Sequence, residues 1–558
     1  MRALLMYRDR DFDPNDSLRH DVTYANRNGD PWQELTPNQL ALIQDLELDT
    51  PLHAMAGDDE FLFEVAQKAL LSGVGNDLGT ILYRQDALKD CLKNPAVVKE
   101  VYDLTVEAIE KTRRTWWELS SHFAPSVLYS ALSLLETSIG MLTKLKGIVE
   151  EQAGRFDSEA FRALFATIRT ELGDEYLASA QNHLTELRFR KGVLLSAELG
   201  EWNEIANVVL RKRSKQKRNW LDRILDRVSS EYTFYLADRD EAGAEILSRI
   251  QYQGISGAAV VVAQSADHVV RFFKMLRAEL AFYIGCLNLH NRLLSQGEPL
   301  CFPTPVSAGA RRHCFSGLYD VCLSLNMGRR VVGNAVEADG KSLVIITGAN
   351  QGGKSTFLRS IGLAQLMMQC GMFVGAEAFS AGLCTALFTH YKREEDASMN
   401  RGKLDEELAR MSDIVDHLQP NSMVLFNESF AATNEREGSE IAKQIVSALL
   451  ERRIKVFYVT HLYYLARALF EEERADAVFL RAERNPDGKR TFRMMEGEPL
   501  DTGYGEDLYR QIFDVQSTIQ ARESRDRSPA DAALDGNGQQ KNGAEQCLSY
   551  SPPTQAIP

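Results

Sequence analysis

A chain of 558 residues is far longer than one typical domain, and a composition of 44% hydrophobic and 25% charged residues suits two to four packed units, each with its own core. Disordered, collagenous and membrane-embedded classes are thereby excluded, and a formal net charge of −14 excludes a uniformly basic coat for nucleic acid, so any contact with phosphates has to be local. The opening MRALLMYRDRDFDPND meets charge before an apolar stretch can form, and no run of about 18 apolar residues follows. Neither a secretory signal nor a membrane span is expected, which places the protein in the cytoplasm. Cys91, Cys286, Cys301, Cys314, Cys322, Cys370, Cys384 and Cys547 are scattered without a C-x-x-C pair, as expected of reduced and mostly buried thiols.

Residues 1–40 read as an N-terminal segment, and helices are expected to dominate 41–316. Leu128, Leu132, Leu135, Ile139, Leu142, Leu145 and Val149 recur at spacings of three and four, the stripe of a long helix. Val269, Phe273, Leu276, Leu280, Tyr283, Leu287 and Leu294 form a second stripe, with Ser265 placed to cap the helix before Asp267. The runs LRFRKGVLLSAEL (187–199), EYTFYLA (231–237) and AAVVVAQ (258–264) between them carry strand-like β-branched and aromatic residues. They predict a β-rich insert over about 187–264 at the tip of a helical hairpin. Within it, RKRSKQKR (211–218) presents Arg211, Lys212, Arg213, Lys215, Lys217 and Arg218 beside Trp220, either a solvated charged loop or a patch that neutralises nucleic-acid phosphates.

From about Gly317 to 522 the pattern changes to short apolar strands, SLVIIT (342–347), MVLF (423–426), VFYVT (456–460) and AVFL (477–480), alternating with helices. That alternation predicts a mainly parallel sheet covered by helices. Residues 523–558 are rich in Ser, Pro, Gly, Gln and Asn without apolar periodicity and read as a disordered tail.

The chemistry concentrates in three places. After SLVIIT comes GANQGGKST, in which Gly348, Gly353, Lys354 and Ser355 match G-x-x-x-x-G-K-[S/T] between a strand and a helix, and Ala349, Asn350, Gln351, Gly352 and Thr356 complete the loop. Glycines let backbone N–H groups curl around phosphates, Lys354 supplies a cation for the β- and γ-phosphates, and the Ser355 hydroxyl can ligate Mg²⁺. ATP and Mg²⁺ are the implied cofactors. MVLFNES puts Asn427 and Glu428 at a strand end, where the first position holds the metal through water and the Glu polarises the attacking water. An amide at the first position contributes less negative charge than a carboxylate, so weaker metal binding or slower turnover is expected. VFYVT ends in His461, which is either structural or a catalytic group reaching the γ-phosphate side of the same sheet edge.

These residues resemble the MutS DNA-repair family. TGANQGGKST is similar to that family's form of the phosphate loop, FTHYKREEDASMNRGKLDEELARM (388–411) to the segment containing its ABC-type signature, and VLFNES, ATNEREGSEIA (432–442) and VTHLYYL (459–465) follow in the family's order. Upstream, LGTILYRQDALKDCL (78–92) is similar to the start of the family's core helices. The resemblance implies a mixed α and α/β fold: a helical core and lever with a clamp-like insert, then an ABC-type P-loop ATPase domain. It also implies an ATPase that homodimerises through those domains and binds duplex or branched DNA.

Three departures stand out. Asn427 replaces the family's Asp, and the signature's Ser-Thr pair falls on Gly402 and Lys403, so that Lys403 would supply the contact across the dimer. A mismatch-reading domain is not expected before residue 40, FLFE (61–64) does not match the Phe-x-Glu wedge, and a C-terminal nuclease-type domain is not expected either. Mismatch recognition is therefore not carried over. Branched DNA, RNA or ribosomes remain alternative targets, whereas a transporter-type or chromosome-clamp ATPase is disfavoured by the absence of a membrane segment and by the undivided ATPase region.

Overall fold

The computed structural model describes residues 1–12, 24–25, 31–32, 35–117, 124–190, 192–202, 205–212, 233–393, 402–484 and 490–500, and apolar residues recurring every three or four positions make most of the described residues up to 300 helical. A short antiparallel pair, β1 (Tyr24–Ala25) and β2 (Pro31–Trp32), comes first. Helix α1 (Pro37–Asp45) opens with a capping box, in which Thr36 Oγ1 accepts from the Gln39 N–H and the Gln39 side chain accepts from the Thr36 N–H. Then follow α2 (Asp49–Ala56), α3 (Glu60–Ser72), α4 (Leu78–Lys93), α5 (Pro95–Trp117), α6 (Ala124–Gln152), α7 (Glu159–Glu171) and α8 (Asp174–Leu187). An antiparallel hairpin, β3 (Leu195–Leu199) and β4 (Ile205–Leu210), leads to α9 (Glu241–Ser295), a helix of 55 residues capped by Asp240.

Helix α9 corrects the expected insert. The AAVVVAQ run is helical, and Ser265 lies inside the helix, where its hydroxyl donates to the Val261 carbonyl at 2.8 Å instead of capping an N-terminus. Helical period outweighs β-branched composition here because Ile255, Ala259, Val262 and Ala266 fall on one buried stripe. The first three of these pack with Leu128, Leu132 and Ile139 of α6 and Leu184 of α8. Within 187–264 the described strands are β3 and β4 alone; residues 233–237 of the EYTFYLA run form none.

Residues 1–12, read from sequence only as part of an N-terminal segment, are built into the core. Leu5 and Met6 are fully buried, and the equally buried Glu279 of α9 accepts the backbone N–H groups of Met6 at 3.2 Å, Phe12 at 2.7 Å and Leu5.

Beyond Cys301 a four-stranded sheet runs in the order β5 (Thr304–Val306), β9 (Ala378–Gly382), β6 (His313–Leu318), β7 (Asn334–Glu337), with only β5 and β9 parallel. The sequence reading did not separate this sheet from the main one. The main sheet has six strands in the order β10 (Leu387–Tyr391), β11 (Met423–Asn427), β12 (Lys455–Val459), β8 (Leu343–Thr347), β13 (Ala477–Arg484), β14 (Arg490–Glu496). Its first five strands are parallel and β14 is antiparallel, so the mixed helix and sheet architecture is present with mixed sheets. Helices α10 (Val321–Met327), α11 (Lys354–Gln369), α12 (Lys403–His417), α13 (Glu435–Glu451) and α14 (Tyr463–Phe470) connect the strands.

Burial on both faces explains the continuous apolar strands. Leu343, Ile345, Val424, Phe426, Val456 and Tyr458 pack on one side with Val446 of α13 and Leu465 of α14. Val344, Ile346, Leu425, Phe457 and Val459 join a cluster that extends through Phe282 and Tyr283 to Leu5. At Gly362 of α11 a Cβ would stand 2.7 Å from Leu46 and 2.8 Å from Leu425, so this glycine lets the helical part close onto the sheet. The two parts share a core instead of burying one each, and Met1–Asp501 forms one compact unit.

Five of the cysteines, Cys91, Cys286, Cys322, Cys370 and Cys384, are buried and free, and Cys301 and Cys314 are free and half-buried. Cys547 and the tail 523–558 lie outside the described residues. Among the described residues no cluster of His, Cys, Asp and Glu could hold a metal ion, and no helix is long and apolar enough to cross a membrane.

Candidate nucleotide and catalytic site

Strand β8 ends at Thr347 and helix α11 begins at Lys354, so the loop between them lies at the C-terminal edge of the main sheet, where open α/β sheets place ligands. Gly348 has φ 114° and Gly353 φ 87°, conformations that glycine adopts without a steric penalty. A Cβ on Gly348 would meet the Ala482 nitrogen at 2.8 Å, and one on Gly352 the Ala482 Cβ at 2.8 Å, so both glycines let the loop lie against β13. Ala349, Asn350 and Gln351 form the turn, and Ser355 and Thr356 sit in the first turn of α11.

Lys354 is folded into this loop, its Nζ donating to the Gly348 and Ala349 carbonyls at 2.9 Å each. Burial pushes its ammonium down to about 8, with the Glu428 charge opposing that shift and Arg490 adding to it. Ser355 Oγ donates to Asn427 Oδ1 at 3.0 Å, which joins the two positions implied for the metal.

Glu428 follows Asn427 in a strained turn, with φ 55° at Glu428 and φ 62° at Phe430. Its carboxylate lies 2.7 Å from His461 Nε2, just beyond β12. That hydrogen bond holds Glu428 below the usual carboxylate range, against the opposing effect of burial and with help from the charges of Lys354 and Lys392. Lys354, Ser355, Asn427, Glu428 and His461 are thus brought to one sheet edge from the ends of β8, β11 and β12.

Gly402 is the extended residue before α12 and Lys403 is its first residue. Arg211 and Lys212 follow β4; Arg211 donates to Ser196 Oγ at 2.9 Å and Lys212 pairs with Glu186 at 3.1 Å. Arg213, Lys215, Lys217, Arg218 and Trp220 lie outside the described residues.

Two groups near the site were missed from sequence. Arg490 of β14 donates to Gln351 Oε1 at 2.6 Å, and Phe492 Cδ1 stands 3.5 Å from where a Gly353 Cβ would be. Behind Glu428, buried His390 of β10 lies 2.7 Å from Ser429 Oγ through Nδ1 and 2.9 Å from the Glu407 carbonyl through Nε2. A carbonyl only accepts, so Nε2 carries the proton; the Ser429 hydroxyl lies against both Nδ1 and, at 2.5 Å, the His390 carbonyl, and its single proton is shared between those two acceptors. Glu407 of α12 also accepts the Phe430 N–H at 2.8 Å, and Tyr458 donates to the Ser429 carbonyl at 2.8 Å. The strained turn is therefore fastened to β10, α12 and β12. His390 stood in the FTHYK segment, but nothing local marked it as facing Ser429, 39 residues away.

Residues 76–296 match the MutS2 N-terminal domain and residues 344–522 match MutS domain V. Over 133 residues the chain is 35% identical to the DNA mismatch repair protein MutS of Syntrophomonas wolfei, covering 24% of this chain and 16% of that protein. It is 30% identical over 163 residues to the Endonuclease MutS2 of Streptococcus uberis, covering 29% and 21%, and 28% identical over 167 residues to MutS protein homolog 4 of Mus musculus, covering 30% and 17%. The chain spans less than a quarter of the length of each of these relatives in the matched regions. With both regions matched in chain order and the phosphate loop, Glu428 and His461 gathered at one sheet edge, this chain is a member of the MutS family.

Proposed function

We propose that this protein is an ATP-dependent DNA-binding protein of the MutS mismatch-repair kind, which binds and hydrolyses ATP with Mg²⁺ to switch a dimeric clamp on DNA. The observation that carries this reading is the Glu428–His461 pair at 2.7 Å beside the Ser355–Asn427 pair and Lys354.

The neutral oxygens of Ser355 and Asn427 fit Mg²⁺, a hard cation that keeps several waters and takes much of its negative ligation from phosphates. When bound, the ion would neutralise charge developing on the β- and γ-phosphate oxygens. Lys354 leaves the Gly348 and Ala349 carbonyls and turns to the phosphates, while loop N–H groups and the N-terminus of α11 hold the remaining charge. Glu428 accepts a hydrogen bond from the attacking water, and His461 keeps that carboxylate oriented and ionised. The bond between the γ-phosphorus and the bridging oxygen breaks to leave ADP and phosphate.

In this reading residues 317–522 are the ATPase domain, α6 and α9 form the lever, and the β3–β4 hairpin with residues 211–218 forms the clamp. Two ATPase domains meet in a homodimer, with Gly402 and Lys403 facing the partner's γ-phosphate, and the protein works in the cytoplasm.

The test is competition among duplex DNA, branched DNA and structured RNA for the full chain at fixed salt, with and without ATP. Replacing Arg211, Lys212, Arg213, Lys215, Lys217 and Arg218 with Gln should weaken duplex binding and flatten its salt dependence by about one unit of slope per lost phosphate contact. Preference for structured RNA would move the target to RNA or ribosomes, and an unaltered slope would remove the clamp.

A further inference from the structure

The main sheet has a second edge with unsatisfied chemistry. Because β8, β11 and β12 are parallel, their first residues Leu343, Met423 and Lys455 lie at the end opposite the phosphate loop and Glu428. A cavity of about 40 Å³ opens there, lined by Arg311, Arg312, His313, Lys341, Arg453 and Lys455. Among the described residues no Asp or Glu lines it. At roughly 10–15 Å³ per water, it holds about three water-sized oxygens.

Some of these cations are already engaged. Arg311 donates to Ser342 Oγ at 2.9 Å, Lys341 to the Ala475 carbonyl at 2.8 Å, and Arg312 faces Asp339 at 3.6 Å. The other Asp339 oxygen accepts the His313 N–H of the backbone at 2.7 Å. Lys455 Nζ is different, sealed from solvent with no hydrogen-bond partner among the described residues. Both ring nitrogens of His313, a residue 1% exposed, are likewise without partners. An ammonium with three N–H bonds and an imidazole with at least one thus lack an acceptor, and a sealed ammonium without one is costly even with the charge of Asp339 nearby.

We infer that this cavity binds a small inorganic oxyanion such as sulfate or phosphate, with the Lys455 amine as its charge anchor and the His313 ring as a hydrogen-bond donor. A tetrahedral oxyanion carries four acceptor oxygens, the upper end of what the cavity holds, and so can offer acceptors to both groups. Arg453 adds positive charge at the rim. Without an anion, burial and the neighbouring Arg311 push the Lys455 ammonium down to about 7, against the pull of Asp339, and a bound anion reverses that destabilisation. The cavity is too small for a nucleotide, and its location on the opposite sheet edge separates it from ATP.

The experiment uses the full chain carrying Lys354→Ala, so that the phosphate loop no longer competes for the probe. Sulfate is titrated against chloride at constant ionic strength while the melting midpoint is followed. Sulfate should raise the midpoint saturably in this background, and adding Lys455→Met, which keeps the volume and removes the amine, should abolish the rise. Arg453→Gln, at an exposed position, should weaken sulfate on the order of tenfold while leaving the fold untouched. ATP hydrolysis by Lys455→Met without the Lys354 change reports that the fold survives. An equal sulfate effect with and without the Lys455 amine would overturn the site. So would a sulfate effect that disappears with Lys354→Ala alone, which would assign all binding to the phosphate loop and leave the ATPase reading standing. A 5′-phosphorylated oligonucleotide that displaces sulfate would show an ester phosphate, in place of a free ion, to be the ligand.

Discussion

His461 Nε2 stands 2.7 Å from Glu428 Oε1, so a residue just beyond the end of one parallel strand holds the carboxylate just beyond the end of its neighbour. Since this hydrogen bond is the main cause of Glu428's lowered pKa, His461→Ala should shift the acid limb of ATP hydrolysis upward, toward the ordinary value of 4.5 or above it. In stability terms the lowered carboxylate contributes above the ordinary value and loses its contribution as pH falls through the folded one. Glu428→Gln should keep ATP binding and cut single-turnover hydrolysis on the order of a hundredfold or more. Rapid-quench measurements from pH 4 to 8 check both, and wild-type turnover in Glu428→Gln would place the base elsewhere.

On the proposed reading, Lys354 should link ATP affinity to pH. Burial pushes its ammonium down to about 8 in the free protein, and phosphate charge would raise that value in the complex. Above 8 the protein must take up a proton to bind, so affinity should fall by up to about tenfold per pH unit, whereas below 8 this group adds no dependence. Calorimetry at pH 7, 8 and 9 in buffers of different ionisation enthalpy reads both the affinity and the proton. Lys354→Ala should abolish the dependence along with most of the binding.

Asn427 Oδ1 already accepts from Ser355 Oγ at 3.0 Å, and Asn427→Asp preserves that acceptor while adding charge. The Mg²⁺ concentration giving half-maximal hydrolysis should therefore fall, by roughly tenfold. A rise would mean that the amide N–H₂ has a use of its own.

Ser429→Ala removes the hydroxyl that partners both His390 Nδ1 and the His390 carbonyl, leaving buried polar groups without it. The expected cost is about 1–3 kcal/mol in urea unfolding. Because the adjacent Glu428 turn is strained, kcat should fall while ATP affinity stays within about twofold. A loss of stability with unchanged kcat would make the His390 network purely structural.

Burial pushes the Glu279 carboxyl up to about 8, although the N–H groups of Phe12, Leu5 and Met6 oppose the shift. A raised carboxyl contributes stability below its ordinary value of 4.5 and loses it as pH rises toward 8. Wild type should exceed Glu279→Gln in urea midpoint most at pH 5 and progressively less toward pH 8. A constant difference would show that the group does not change its protonation over that range.

Local patterns carried much of the architecture. The continuous apolar runs SLVIIT, MVLF, VFYVT and AVFL lie in β8, β11, β12 and β13 because a parallel strand buried on both faces admits few polar residues. The loop Gly348–Gly353 was legible for a similar reason, since its backbone conformation requires glycine at defined positions. What the sequence by itself determined was therefore whatever a short stretch of chain decides through its own sterics and periodicity. Tertiary structure decided the rest. Ala258–Gln264 is helical because α6 and α8 lie against its buried stripe, and residues 1–12 are ordered because Glu279, more than 260 positions away, collects their N–H groups. Arg490 meets Gln351, and His390 meets Ser429, only after the sheet has assembled. These contacts depend on strand order and helix packing, which neighbouring residues in the chain do not encode one by one.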